Sequence, residues 1–131
     1  MGNNDKQIRY CYLTTVNNDR NVSVNFENSD LIVDSSEGLQ FILCLCEDDT
    51  YKIIYRNRVF DIVGGLIQKG TSVWLHNDNG TIAQRWRIGE INSRVVLLSE
   101  DKKFALGLSE EGKISLCDID DLDNLLYCQF E

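Results

Sequence analysis

A carboxylate, an indole, an imidazole and two amides fall within one short stretch of this chain: Asp61, Trp74, His76, Asn79 and Gln84. Together these groups suit a polyhydroxylated ligand. A carboxylate accepts hydrogen bonds from neighbouring hydroxyls, and its charge strengthens them. A flat aromatic face packs against the apolar C–H face of a pyranose. Amides both donate and accept, as hydroxyls do. Each residue also has a plainer use: Asp61 in bonding turn amides, Trp74 in packing between hairpins, His76 as a surface residue, Gln84 in satisfying loop backbone. Bond-breaking chemistry finds less support. A hydrolytic triad joins a histidine to a nucleophile and an acid, and His76 is the sole histidine. No glycine-rich phosphate loop precedes a helix, since Gly64-Gly65 lies between β-type runs. The expectation is a non-enzymatic binding protein without catalytic residues or cofactor.

The elements that must position these groups are short alternating runs: 8–13, 22–26, 40–46, 52–55, 59–62, 72–76, 83–88, 95–98, 104–108, 113–116 and 125–130. Polar turns separate them, proline is absent, and no helical period is sustained, which is an all-β pattern. Only 118–126 suggests a short helical turn. Asp61 falls in the run 59–62, and Trp74 and His76 share one face of 72–76. Gln84 is expected on the same strand face as Trp86, after a turn closed by Asn79-Gly80. The segments 12–24, 51–62 and 94–106 all read strand, polar turn, strand. Trp86 and Tyr127 recur at matching phase, so the chain divides into three units of roughly 40 residues. These are 8–48, 49–92 and 93–131.

The segment 59–88, with Gln84-x-Trp86 following Asn79-Gly80 and an alternating strand, resembles the Q-x-W repeat of ricin-B-like (R-type) lectins. The resemblance implies a single β-trefoil over 1–131 with pseudo-threefold symmetry: a closed six-stranded barrel capped by three hairpins, leaving no open sheet edge. It also implies a pocket in the middle repeat. Asp61 matches the family's sugar-binding Asp, His76 its aromatic, and Ala83-Gln84 its Asn-Gln pair, with Trp74 on the same strand face as His76. Ala83 departs from the pattern, and Asn77, Asp78 or Asn79 is expected to stand in. The family's habit makes galactose or GalNAc the expected sugar. In the outer repeats Ser23 and Leu106 stand where Asp61 stands. Leu39 or Gln40, and Leu125, stand for Gln84, and Tyr127 for the Trp. At most one site per chain is therefore expected. The family's intra-repeat disulfide is absent, because its positions are Val59 and Asp78. Ala83 and the degraded outer repeats also suit a second reading, a degenerate trefoil acting as a protein-interaction module or protease inhibitor.

Bulk properties narrow the partners. A chain of 131 residues with 43% hydrophobic and 26% charged content suits one folded domain. A net charge of −8 disfavours nucleic acid and anionic membrane as partners. Arg56, Arg58, Arg85, Arg87 and Arg94 cluster mid-chain and read as a solvated face. The five cysteines lack metal or redox spacing, and Cys44 and Cys46 suit burial. The region 118–123 has calcium-like acid spacing, but Asp123 takes the loop's glycine position and Gln129 its closing glutamate, so no metal is expected. No leader pattern or membrane-length apolar run is seen. The expected setting is the reducing cytoplasm. An unconventional export route stays compatible with the sequons at Asn21 and Asn79. Expected partners are glycans or glycoproteins, with homo-oligomerisation or a protein partner supplying avidity.

Overall fold

Twelve strands account for the alternating runs in the computed structural model, which describes residues 8–131. The segment 1–7, read above for a leader, lies outside the described residues. The strands are β1 (Ile8–Thr14), β2 (Asn21–Val24), β3 (Leu31–Asp34), β4 (Phe41–Leu45), β5 (Tyr51–Tyr55), β6 (Arg58–Ile62), β7 (Val73–His76), β8 (Trp86–Ile91), β9 (Arg94–Ser99), β10 (Phe104–Leu108), β11 (Ile114–Asp118) and β12 (Tyr127–Phe130). Six of them form a closed antiparallel ring: β1 pairs β4, β4 pairs β5, β5 pairs β8, β8 pairs β9, β9 pairs β12, and β12 returns to β1. The other six make three hairpins, β2–β3, β6–β7 and β10–β11. Closing the ring satisfies backbone groups that an open sheet would leave at its edges.

Large side chains fill the space between ring and hairpins. Phe41, Phe60 and Trp86 are fully buried. Phe41 meets Phe60 edge-on at 5.1 Å and 81°, an arrangement worth about 1 kcal/mol beyond its area. Trp86 Nε1 donates to the Phe60 carbonyl at 3.2 Å, which ties ring strand β8 to hairpin strand β6.

Several local expectations are corrected. Strand β3 falls outside the alternating runs because Leu31-Ile32-Val33 is an unbroken apolar stretch, half-buried throughout. The run 83–88 is split. Ile82–Gln84 forms a 3-10 turn and the strand starts at Trp86, so Gln84 does not share a strand face with Trp86. Asn79-Gly80 does not close a two-residue hairpin. Only Gly80 is left-handed (φ 73°), and Asp78 and Asn79 shape the loop by accepting from the backbone N–H groups of Gly80 and Thr81. The stretch 118–126 makes successive tight turns instead of a helix.

Candidate functional site

Hairpin β6–β7 pairs Val59 with His76, Phe60 with Leu75, Asp61 with Trp74 and Ile62 with Val73. Strand alternation sorts these residues onto two faces. Phe60, Ile62, Val73 and Leu75 enter the core, while Val59, Asp61, Trp74 and His76 take the opposite face. On that face Trp74 Nε1 donates to Asp61 Oδ2 at 2.6 Å. Asp61 is 6% exposed and Trp74 45%. A charge-assisted bond from a buried anchor thus holds an indole that stays open to solvent. Among the described residues Asp61 Oδ1 has no hydrogen-bond partner, and the one buried unpartnered side-chain atom is Ser115 Oγ. Asp61 Oδ1 is thus an unengaged acceptor on the anchor behind the indole.

His76 lies next to Trp74, with ring centroids 5.3 Å apart and planes tilted by 47°. Its Nδ1 is 3.3 Å from the Asn77 carbonyl. A carbonyl only accepts, so this contact is a hydrogen bond only when Nδ1 carries the proton. Trp74 and His76 line one concavity of about 310 Å³, together with Arg58, Asn77 and the turn residues Asn28 to Asp30 of the first hairpin. Trp74 also borders a second concavity of about 420 Å³, between the three hairpins.

The five expected ligand residues do not converge on one opening. Trp74 and His76 share the concavity, and Asp61 sits directly behind Trp74. Gln84 is fully buried beneath the 77–81 loop. Its Nε2 donates to the Asn77 carbonyl and its Oε1 accepts from the Asn79 N–H, both at 2.8 Å. That arrangement makes Gln84 a holder of the loop, the plainer of the two uses read for it from the sequence. Asn79 is exposed but lines neither concavity, and its Oδ1 accepts from the Thr81 N–H and hydroxyl. Asp78 accepts from Lys52 Nζ at 2.8 Å, and that ammonium holds its carboxyl below the usual range. Ala83 packs into the core and offers no polar group.

Two contributors were not singled out from the sequence. Arg58 read as one of several solvated arginines, and the 28–30 turn approaches β7 only through tertiary packing. The register also corrects the third hairpin. Gly107, not Leu106, faces Ser115 as Asp61 faces Trp74, and Leu106 is core like Phe60. A Cβ at Gly107 would lie 2.5 Å from the Asn124 carbonyl oxygen and 2.7 Å from Cys117 Sγ, so a carboxylate has no room there. In the first hairpin Ser23 faces Ile32. All five cysteines are free thiols, and burial first, then nearby acids, pushes the Cys117 thiol up to about 11. No group of three metal-ligating side chains occurs among the described residues, and no helix among them is long and apolar enough to cross a membrane.

No family model matches the sequence, and no curated protein matches it. Solved structures do. The designed threefold-symmetric protein ThreeFoil superposes with a TM-score of 0.79 at 18% identity, over 90% of this chain and 95% of ThreeFoil. SeviL, solved with the asialo-GM1 saccharide, gives 0.71 at 15% identity, over 93% of this chain and 97% of SeviL. The Polyporus squamosus lectin, solved with Neu5Acα2-6Galβ1-4GlcNAc, gives 0.70 at 18%, over 94% of this chain and 48% of the lectin. Toxins share the shape as well, among them a mosquitocidal holotoxin and the lysenin pore. At such identities the likeness speaks to fold alone. With the closed six-stranded ring and three hairpins, it defines a β-trefoil.

Proposed function

We propose that the chain is a non-enzymatic carbohydrate-binding protein whose saccharide site lies on the β6–β7 hairpin. The observation that carries this reading is the Asp61–Trp74 pair: an exposed indole locked in orientation by a buried carboxylate whose other oxygen has no hydrogen-bond partner among the described residues. A pyranose stacks its C–H face on Trp74 and donates one hydroxyl to Asp61 Oδ1, with the His76 imidazole as a second polar group at the rim. Galactose or GalNAc is the sugar that the R-type resemblance supplies, and the saccharide on the Polyporus squamosus lectin includes a galactose ring. In this reading the chain is one trefoil domain of three units, 8–48, 49–92 and 93–131, with the site in the middle unit. Its partners are glycans or glycoproteins met in the cytoplasm.

One observation favours a second reading. Asp61 is largely covered, Gln84 is sealed under the loop, and Ala83 is apolar, so much of the R-type constellation is spent on structure. A protein-interaction module or protease inhibitor uses the same scaffold through its loops. A glycan array separates the two. The expected result is a terminal galactose or GalNAc signal that falls about tenfold or more in Trp74→Ala, which keeps the core intact. Silence from folded wild-type protein favours the interaction module, and a pull-down then follows.

A further inference from the structure

The saccharide groove continues past Trp74 and His76 to a cationic end. The concavity that holds those two rings shares Ser29, Arg58 and Leu75 with a neighbouring one of about 180 Å³. Arg56 and Tyr55 line the neighbour's far side. Arg58 is exposed at the junction, and the Arg56 guanidinium lies over the Tyr55 ring at 5.4 Å. Ion pairs among the described residues engage Lys52, Lys69 and Arg87, while Arg94 bonds the Val16 carbonyl and Asn18. Arg56 and Arg58 have no carboxylate partner among the described residues. In a chain of net charge −8, two adjacent guanidiniums free of carboxylates are a local inversion of sign. The one acid on the groove wall is Asp30. It lies at the Trp74 end and is absent from the lining around Arg56.

Charge therefore runs along the groove, from the Trp74 and Asp30 end to the Arg58 and Arg56 end. A neutral saccharide uses only the first. We infer that the preferred ligand is an anionic oligosaccharide, its neutral ring on Trp74 and a sulfate or carboxylate on the adjoining sugar held by Arg58 and Arg56. Guanidinium matches both anions, because its planar fork donates two parallel hydrogen bonds to paired oxygens. This inference rests on the saccharide reading above, since it assigns that site its ligand class.

The test is calorimetric titration of the full chain with three matched saccharides: a neutral galactoside, its sulfate ester and its sialylated form. Wild type is expected to bind at least one anionic form about fivefold tighter than the neutral one at low salt. That ratio is expected to shrink at about 0.5 M salt, where exposed charges are screened. It is expected to approach one in the double variant Arg56→Gln with Arg58→Gln, whose fold is checked by its circular dichroism and melting temperature. Enhancement by one anion alone upholds the inference and names the source as sulfate or carboxylate. A wild-type ratio near one, or a preference that survives in the folded double variant, overturns it while the saccharide site stands. Wild-type protein that binds none of the three overturns the saccharide reading and this inference together.

Discussion

Asp61 and Trp74 face each other across two strands, and each needs the other. The carboxylate is nearly buried, and the indole N–H supplies a hydrogen bond that its sheltered oxygen would otherwise lack. The indole in turn gains a fixed plane without being buried, which lowers the ordering cost when a ligand stacks on it. Asp61→Ala is expected to cost about 1.5 kcal/mol in a urea titration, the scale of a lost hydrogen bond to a charged group. The same change is expected to weaken glycan binding more than stability alone explains, since Trp74 loses its anchor. A variant of unchanged stability would show that the pair is incidental. Both residues were legible in the sequence, Trp74 because strand alternation puts it on one face with His76 and Asp61 through the R-type resemblance. Their mutual bond was not, because register between strands is set in three dimensions and a shift of one residue exchanges the faces. The same limit misplaced Leu106 for Gly107.

The loop 77–84 is the element that sequence spacing described least well. Its shape comes from side chains bonding backbone over short distances, and no periodicity encodes that. Gln84 replaces two backbone partners at once, so Gln84→Ala leaves the Asn79 N–H and the Asn77 carbonyl without their side-chain partner and opens a cavity under the loop. The expected loss is about 2 kcal/mol, read as a lowered urea midpoint. A second anchor is the Lys52–Asp78 pair, and its pH dependence has a definite sign. Lys52 lowers the folded-state pKa of Asp78 below the ordinary carboxylate value. The pair's contribution is then fully present above about pH 4 and is lost as pH falls through the folded value. Melting temperatures of wild type and Asp78→Asn are expected to differ by a constant amount at neutral pH and to converge in acid. Parallel curves down to about pH 2 would assign Asp78 no linked role.

Over the whole molecule, the sequence made the strand count nearly complete, because polar turns recur at close spacing between apolar runs. It missed β3, whose Leu31-Ile32-Val33 run carries no alternation. It also missed the approach of the 28–30 turn to β7, a contact between distant segments that makes one wall of the groove. Valence follows from comparing the three hairpins. Positions matching Asp61 and Trp74 are Ser23 and Ile32 in the first hairpin, Gly107 and Ser115 in the third. Neither pair offers a carboxylate or an aromatic ring, and Gly107 is closed by the Asn124 carbonyl and Cys117 Sγ. In the saccharide reading proposed above, one chain then holds one saccharide and does not bridge two surfaces by itself. Crosslinking needs a homo-oligomer or a multivalent partner, where effective concentration raises avidity by orders of magnitude. Chains fractionated as monomers by size exclusion are expected to bind glycan-coated beads without clumping them. The same chains tagged with biotin and assembled on streptavidin are expected to agglutinate the beads. Agglutination by the isolated monomer would require a second site on the trefoil and would refute the one-site assignment.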